Sequence, residues 1–279
     1  MRFAEKVMQV AKTLGCFVTE ARRSSYHLFR LPAAIAGLQC GDRWPVTSPS
    51  TPRADFIQEA AIPNPLRAYF EANREGPGIW KWNHYFDIYH RHLRRFVGSD
   101  VHVVEVGVYS GGSLPMWRSY FGGRCHVTGV DIEPACRAYE SDRISIHIGD
   151  QADREFWRTF RRDAGLVDVL IDDGGHSAEQ QIVTLEEMLP YLRPGGVYIC
   201  EDIHGFGQQF STYAYSLGEA LNEWVAVDSH GEHASGASRF QAAVYSIHLY
   251  PFVVVIERTE SPVDGFRAPK HGTQWQPFL

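Results

Sequence analysis

The stretch Val101–Ser113 constrains the fold more than any other part of the chain. It begins with a β-branched run and continues as Glu-Val-Gly-Val-Tyr-Ser-Gly-Gly-Ser over residues 105–113. An apolar run that breaks into glycines and then a helix former predicts a buried strand, a tight turn and a helix start. Glycines let a ligand approach the backbone, and a helix N-terminus has free N–H groups. We therefore expect a ligand-binding turn at the end of this strand.

The spacing of the glycines argues against a dinucleotide-binding fingerprint. That fingerprint has glycines at positions one, three and six. Counting from Gly107, position three is Tyr109, whose side chain would stand where a pyrophosphate needs bare backbone. A nicotinamide-dependent oxidoreductase is therefore the least favoured enzyme class.

From residue 101 onward the sequence alternates between short apolar runs and helical segments. The first five predicted strands are residues 101–104, 125–130, 144–148, 167–171 and 197–200. Such alternation predicts a parallel, doubly wound α/β sheet of the Rossmann-like kind, with helices on both faces. Two late runs, residues 240–248 and 252–258, flank a Tyr-Pro turn and predict an antiparallel C-terminal hairpin.

Polar residues follow the second and third predicted strands. Asp131 lies 24 residues after Gly107, where a carboxylate can accept both ribose hydroxyls of a nucleoside. The alternative is that Asp131 only caps the next helix, since Pro134 follows it. Asp150 and Gln151 lie where an adenine amino group could be bonded.

Two pairs of acids follow the fourth and fifth strands: Asp172, Asp173, Glu201 and Asp202. If these strands are neighbours the carboxylates converge, and their pKa values rise unless a cation lies among them. Oxygen ligands without cysteine suit Mg²⁺, and also Mn²⁺ or Ca²⁺. The alternative is that each acid is a separate cap or loop residue. The nearby His176 and His204 favour a metal site.

An aromatic segment, residues 76–86, precedes the first strand and contains Lys81, Asn83 and His84 among two Trp, a Tyr and a Phe. Aromatic clusters of this density are often part of a core. The functional alternative is a lid over a cofactor, with Lys81 or Tyr85 reaching the cofactor or the substrate.

The first 75 residues form a separate region in the sequence pattern. Residues 1–38 have helical periodicity, and residues 41–52 are rich in Gly, Pro, Ser and Thr. We expect a helical extension and linker over residues 1–75 and the main domain over residues 76–279. The apolar face of the first segment predicts a homo-oligomer, with packing on the main domain or at a membrane surface as alternatives.

Composition excludes several classes of protein. The 279 residues carry a net charge of −6 and no long basic run, so no nucleic-acid partner is expected. No apolar run reaches the roughly 18 residues of a membrane span. Five cysteines without a Cys-x-x-Cys pair are expected to be reduced thiols, which predicts a cytoplasmic protein.

Two sets of motifs resemble a known enzyme family. The pattern Glu-x-Gly-x-x-x-Gly-Gly from Glu105 resembles the first motif of class I S-adenosylmethionine (SAM)-dependent methyltransferases, whose ligand has no pyrophosphate. Asp-Asp-Gly-Gly-His at 172–176 and Glu-Asp-Ile-His at 201–204 resemble the metal-dependent sugar O-methyltransferases, which include the macrocin and mycinamicin enzymes and the cephalosporin hydroxylase-like proteins. The similarity covers roughly Trp80 to Arg258.

This resemblance implies a set of functional residues. The implied Mg²⁺ ligands are Asp173, Glu201 and Asp202, and the implied base is His176. The SAM contacts are expected at Glu105, Gly107, Tyr109, Gly111, Ser113, Asp131, Asp150, Gln151 and Asp172. The acceptor contacts are expected at Lys81, Tyr85 and His204. The family more often has serine at the position of Gly175, which should only loosen that loop.

The implied reaction is methylation of a hydroxyl on a sugar, glycoside or polyol in secondary-metabolite or polysaccharide biosynthesis. A hydroxyl is a poor nucleophile at pH 7, and Mg²⁺ with a histidine base would activate it. One alternative is methylation of a small organic acid, because a carboxylate acceptor needs no base. Another is a SAM- or metal-binding module without catalysis, against which the complete acid pairs and histidine argue.

Overall fold

A computed structural model describes residues 35–41, 63–204, 209–227 and 233–273. The chain divides into two compact units, Met1–Ala61 and Ile62–Leu279. In the first unit, residues 35–41 form a helix, α1. The rest of the segment predicted to be helical and to mediate oligomerisation, and almost all of the predicted linker, lie outside the described residues.

The second unit contains the predicted alternation of strands and helices. Its helices are α2 Pro65–Ala72, α3 Tyr85–Leu93, α4 Ser113–Phe121, α5 Arg154–Ala164, α6 Ala178–Met188, α7 Gln209–Leu221 and α8 Arg239–Ala243. Its strands are β1 His102–Val106, β2 His126–Asp131, β3 Ile144–Ile148, β4 Val167–Asp172, β5 Leu192–Cys200, β6 Ala234–Gly236, β7 Val244–Tyr250, β8 Val253–Arg258 and β9 Gly265–Arg267.

Seven of these strands form one sheet in the order β3-β2-β1-β4-β5-β8-β7, and β6 pairs with β9 separately. Strands β1 to β5 are parallel, whereas β8 is antiparallel to both β5 and β7. The Rossmann-like doubly wound sheet and its C-terminal hairpin are therefore confirmed. The hairpin begins later than predicted, at Val244, because a capping box of Ser238 and Gln241 starts the short helix α8 before it.

The sheet is buried on both faces. Successive residues of a strand point to opposite faces, so Val103 packs in one apolar cluster with Trp117, and Val104 packs in the other with Trp157. Leu66 of α2 is fully buried in the first cluster. The unit that contains the sheet thus begins near residue 62, whereas the sequence placed the domain boundary at residue 75.

Strand β5 is longer than the sequence predicted. It begins at Leu192, whereas the predicted strand begins at residue 197, and it contains Gly195 in the left-handed region at φ +74°. The N–H of Gly195 donates to the carbonyl oxygen of Thr259 at 2.9 Å. The strand then pairs in parallel with β4, aligning Cys200 with Asp172. This alignment brings the residues that follow both strands to one edge of the sheet.

Within the described part of the chain, no helix has the length and apolar character needed to cross a bilayer. The cysteines described there are all free thiols, namely Cys40, Cys125, Cys136 and Cys200. Burial raises the pKa of the Cys200 thiol well above its ordinary value. This cysteine is therefore an unreactive part of the core.

Candidate active site

A cavity of about 900 Å³ lies at the carboxyl ends of the parallel strands. This edge of an open α/β sheet is where ligands bind. One end of the cavity lies at Asp131 and the β1–α4 loop, and we call it the Asp131 end. The other lies at Asp173, Glu201 and Asp202, and we call it the acid end.

The carboxylate of Asp131 accepts hydrogen bonds that hold the loop following β1. Its Oδ2 accepts the backbone N–H groups of Val108 at 2.8 Å and Tyr109 at 3.1 Å, and its Oδ1 accepts that of Glu133 at 2.9 Å. Burial by itself would raise the pKa of Asp131, but these three N–H groups outweigh it and lower the pKa. The alternative role of helix cap belongs instead to Glu133, whose side chain accepts the N–H of Ala135.

The glycines of the β1–α4 loop are required by neighbouring protein atoms. A Cβ on Gly107, at φ +89°, would lie 2.0 Å from the carbonyl oxygen of Asp173, and one on Gly111, at φ +74°, would lie 2.5 Å from the Tyr139 ring. The structure therefore corrects the expectation that these glycines are present to admit the ligand. They allow the loop to pack against the chain behind it.

The acid of the first motif lies beneath the cavity. Glu105 is fully buried, and the Ser113 hydroxyl donates to its Oε2 at 2.5 Å. In this structure the two side chains contact each other, and their expected contacts with the cofactor stay predictions. Tyr109 is 72% exposed and lies with its ring 6.5 Å from that of Trp80, at the mouth of the cavity.

Asp172 and Gln151 also have structural partners in place of the predicted cofactor contacts. Asp172 is buried and accepts hydrogen bonds from Gln151 Nε2 at 2.9 Å and the Tyr198 hydroxyl at 3.1 Å. Gln151 Oε1 accepts the Gly175 N–H at 2.7 Å, so its amide holds the β4–α6 loop. Asp150 is exposed and lines the cavity, while its Oδ1 accepts the Ala152 N–H.

The acid end contains an internal cation. The Lys81 ammonium lies 2.6 Å from Asp173 Oδ2, 3.0 Å from Glu201 Oε2 and 3.4 Å from Glu105 Oε1. Its side chain is almost completely buried. Lys81 therefore faces three carboxylates and also lines the cavity, and its expected contact with the cofactor or the acceptor stays a prediction.

The charges at the acid end do not balance. Burial by itself would lower the pKa of Lys81, but Asp173, Glu201 and Glu105 raise it well above its ordinary value. Burial raises the pKa of Glu201 to about 8, although Lys81 opposes this shift. Burial also raises the pKa of Glu105, so without a further cation these carboxyl groups hold their protons more tightly, and a second cation would stabilise their charged forms.

Two tyrosines of α3 hold the remaining acid oxygens. The Tyr85 hydroxyl donates to Asp202 Oδ1 at 2.7 Å, and the Tyr89 hydroxyl donates to Glu201 Oε1 at 2.6 Å. Tyr85 is buried at the cavity wall and positions Asp202, and its expected contact with the acceptor stays a prediction. Trp82 Nε1 also donates to Asp202 Oδ1, at 3.0 Å.

Sequence reasoning missed Tyr89 and the indole of Trp82. The signal for Tyr89 was its spacing from Tyr85, because residues four apart lie on one face of a helix. The aromatic segment, residues 76–86, was expected to belong either to the core or to a lid over the cavity, and its residues differ in this respect. Phe86 belongs to the core, whereas Trp80 and Trp82 are exposed beside the cavity.

Three groups at the acid end have the spacing of metal ligands. Asp173, His176 and Asp202 each offer one ligand atom, and these atoms lie within 4.8 Å of one another. His176 Nε2 is 3.7 Å from Asp202 Oδ2, and His204 Nε2 is 4.0 Å from Asp202 Oδ1. A set dominated by carboxylates fits Mg²⁺ or Mn²⁺. Glu201, the third predicted ligand, does not belong to this group, and its two oxygens accept hydrogen bonds from Lys81 and Tyr89.

Residues 104–203 match the protein family described as "Methyltransferase domain". The doubly wound sheet and the cavity at its carboxyl edge agree with this match. This part of the chain is therefore a methyltransferase domain with a Rossmann-like fold.

Beyond that class, the chain resembles sugar O-methyltransferases of antibiotic biosynthesis. It is 33% identical over 196 residues to mycinamicin VI 2''-O-methyltransferase of Micromonospora griseorubida, covering 63% of this chain and 48% of that protein. It is 36% identical over 210 residues to demethylmacrocin O-methyltransferase of Streptomyces fradiae, covering 67% and 53%. The chain spans about half the length of these curated relatives. The predicted resemblance is thus confirmed.

A solved structure supports the same likeness. The MycE methyltransferase of the mycinamycin biosynthetic pathway, in complex with Mg and SAH, matches with a TM-score of 0.57 and 26% identity. The match covers 71% of this chain and 55% of that one.

Proposed function

We propose that this chain is a SAM- and Mg²⁺-dependent O-methyltransferase that acts on a hydroxyl of a sugar, glycoside or polyol in secondary-metabolite or polysaccharide biosynthesis. One observation carries the proposal. A single cavity has a carboxylate suited to a ribose, Asp131, at one end, and a group of ligand atoms from Asp173, His176 and Asp202 at the other. The relatives that methylate sugar hydroxyls, and the neighbour solved with Mg and SAH, support the same reaction.

The Asp131 end would bind SAM. Asp131 is held ionised by backbone N–H groups and can accept the ribose hydroxyls. The exposed Asp150 lies at the tip of β3, where the adenine amino group is expected. Gly107, Gly111 and the exposed Tyr109 shape the loop that faces the rest of the cofactor.

The acid end would bind Mg²⁺. Asp173 and Asp202 would supply ligand oxygens. Glu201 would supply a third through its Oε2 if the hydrogen bond from Lys81 to that oxygen were broken. When bound, Mg²⁺ supplies a Lewis acid that lowers the pKa of the acceptor hydroxyl, and SAM supplies the electrophilic methyl group. Tyr85 and Trp82 keep Asp202 oriented throughout, because both donate to its Oδ1.

His176 would be the general base. It lies beside Asp202 and is held at φ +58°, an uncommon conformation that persists where the surroundings require it. Its neutral imidazole would take the proton from the acceptor hydroxyl as the methyl group is transferred. His176 also has the spacing of a metal ligand. A base is distinguished from a ligand by its replacement, which should lower kcat more than it weakens Mg²⁺ binding.

A carboxylate acceptor is less well suited to this cavity. Burial and the neighbouring Asp173 raise the pKa of Glu201 to about 8, so this end disfavours further negative charge and an anionic acceptor with it. A carboxylate acceptor also needs no base. If the acceptor were a carboxylate, His176→Ala would leave turnover nearly intact.

The test is mass spectrometry of products formed from SAM, Mg²⁺ and a panel of acceptors. The panel contains unmethylated glycosides, free sugars, polyols and small carboxylic acids. We expect a gain of one methyl group on a ring hydroxyl of a glycoside, which is lost without Mg²⁺. Methyl esters as the only products would contradict the proposal and establish the carboxylate alternative.

A further inference from the structure

Three aromatic side chains form a corner beside Asp202. Trp82 precedes α3, His204 follows β5, and Phe252 lies in the turn between β7 and β8. The ring centroid of Phe252 is 5.4 Å from those of both Trp82 and His204, and those of Trp82 and His204 are 6.5 Å apart. We call these three residues the aromatic corner. Each comes from a different segment of the chain, so the corner exists only in the folded protein.

The backbone around the corner is fixed by hydrogen bonds. The N–H of Ile203 donates to the carbonyl oxygen of Phe252 at 3.0 Å, which ties the hairpin turn to the end of β5. His84 Nε2 lies 3.0 Å from the carbonyl oxygen of Pro251, which ties the same turn to the segment before α3. The bond from Trp82 Nε1 to Asp202 connects the corner to the acid end.

The corner is exposed and strained. Trp82 is 49% exposed, Phe252 is 37% exposed, and the side chain of His204 is 49% exposed. Phe252 has φ +65°, which is unfavourable for a bulky residue, and Asp202 and His176 have φ +54° and +58°. Strained residues of this kind cluster at ligand sites. Trp82 and His204 line the cavity, and the exposed ring of Phe252 continues their surface outward. Exposed aromatic rings beside a cavity are typical of a surface that a ligand covers.

The shape and charge of the corner narrow the class of ligand. The rings meet at interplanar angles of 51°, 73° and 78°, so they form an open corner and not a parallel slot for a flat aromatic molecule. The acids beside them disfavour an anion. A pyranose ring has a face of C–H bonds that can meet the electron-rich face of an aromatic ring. Its hydroxyls point outward from the ring edge, where Asp202 and His176 lie.

We propose that the aromatic corner is the acceptor subsite, and that it stacks on the C–H face of a pyranose ring so that one ring hydroxyl reaches Asp202 and His176. This inference rests on the proposed function, because it assigns the position and chemical class of that reaction's acceptor. It makes Trp82 and Phe252 specificity residues that select a ring over an open-chain polyol or a flat phenol. His204 contributes an edge of the same surface.

The experiment combines binding and kinetics on the full chain. Saturation-transfer NMR with methyl α-L-rhamnopyranoside, in the presence of SAH and Mg²⁺, measures contact of each sugar proton with the protein. Kinetics with the same glycoside, sorbitol and catechol measure acceptor choice. Phe252→Ala should raise the KM for the glycoside about tenfold and leave kcat within a few-fold, because a stacking surface is lost. Phe252→Tyr keeps the ring and should restore the KM.

A purely structural role would lower the melting temperature without this split between KM and kcat. If Phe252→Ala fails to fold, Trp82→Leu removes a ring that belongs to a different segment. Because it also removes the Nε1–H bond to Asp202, Mg²⁺ affinity is measured alongside, and the KM for the glycoside should rise at saturating Mg²⁺. Unchanged KM values in both variants of an enzyme that methylates the glycoside would overturn the subsite and leave the proposed function standing. A higher kcat/KM for catechol would also overturn it. The wild-type protein could also show NMR contacts with the C–H face of the glycoside, lost in Phe252→Ala, and yet transfer no methyl group. That result would support the subsite and refute the proposed function.

Discussion

The two ends of the cavity hold their carboxylates by opposite means. At the Asp131 end, three backbone N–H groups from nearby loops stabilise the charged form, so the pKa of Asp131 is lowered. At the acid end, burial raises the pKa of Glu201, and the main compensation is a lysine that lies 120 residues away in the sequence. The Asp131 end therefore needs only the pairing of two neighbouring strands, β1 and β2, whereas the acid end needs distant segments to pack on the sheet.

Under the proposed function, this difference separates cofactor binding at the Asp131 end from chemistry at the acid end. Asp131 contacts neither Lys81 nor the tyrosines that hold Glu201 and Asp202. A change at one end should thus leave the other end's function largely intact. The following predictions test that separation, from the largest expected effect to the smallest.

Loss of the base should affect turnover alone. His176→Ala is expected to lower kcat by about 10²–10⁴, the usual range for losing a general base. The loss should shrink at high pH, where hydroxide can take the proton. His176→Gln, which is polar but cannot act as a base, should show the same loss. A change in SAM affinity in either variant, measured by calorimetry, would argue that the ends are coupled.

Loss of the internal cation should affect stability. Lys81→Met leaves Glu105, Asp173 and Glu201 without their shared ammonium, and breaking a buried ion pair on one side costs about 3–5 kcal/mol. Urea denaturation measures the loss. The matched control is Arg154→Met, which removes a surface cation with two acidic partners and should barely change the midpoint. Equal effects in the two variants would remove the distinction between the ends.

Loss of the ribose acid should affect SAM affinity. Asp131→Ala removes a charge-assisted hydrogen-bond pair of about 1.5–3 kcal/mol, so SAM should bind roughly 10–100-fold more weakly. The exposed acid Asp142 provides a control, since Asp142→Ala should leave the affinity unchanged. Unchanged SAM affinity in Asp131→Ala would refute the assignment of this end.

The pH dependence of stability should have opposite signs at Asp131 and at buried Asp172. Burial raises the pKa of Asp172 to about 6, so the folded protein keeps a proton that the unfolded chain releases. Its stabilising contribution is present below the ordinary aspartate pKa and is lost as the pH rises through about 6. Asp131, with a lowered pKa, contributes stability that is lost as the pH falls. Asp172→Asn should flatten the slope between about pH 4 and 6, and Asp131→Asn the slope below about pH 4, in unfolding free energies measured from about pH 2 to 8.

The sequence predicted what local patterns determine. The strands, the turn after Gly107 and the position of Asp131 depend on runs of a few residues, and the adjacency of the two acid pairs follows from the order of parallel strands. Strand alternation could also have separated Asp172 from Asp173, because neighbouring side chains point to opposite faces. Of these two aspartates, Asp173 lines the cavity and Asp172 does not.

Long-range partners could not be predicted in this way. Lys81 lies 92 residues before Asp173 in the sequence, and Tyr89 lies 112 residues before Glu201. No spacing rule connects such pairs, because their contact depends on how α3 and the segment before it pack on the sheet. The contact between Phe252 and Trp82 is equally unpredictable from spacing, because it depends on where the β7–β8 turn lies in the folded protein.

Chelation tests the central claim most directly. SAM affinity by calorimetry and methyl transfer to a glycoside acceptor would be measured on one sample, before and after exhaustive treatment with EDTA and again after Mg²⁺ is restored. Because SAM and the metal use different carboxylates, we expect chelation to abolish turnover, to leave SAM binding largely intact, and to be reversed by Mg²⁺. Turnover that survives chelation would contradict the account.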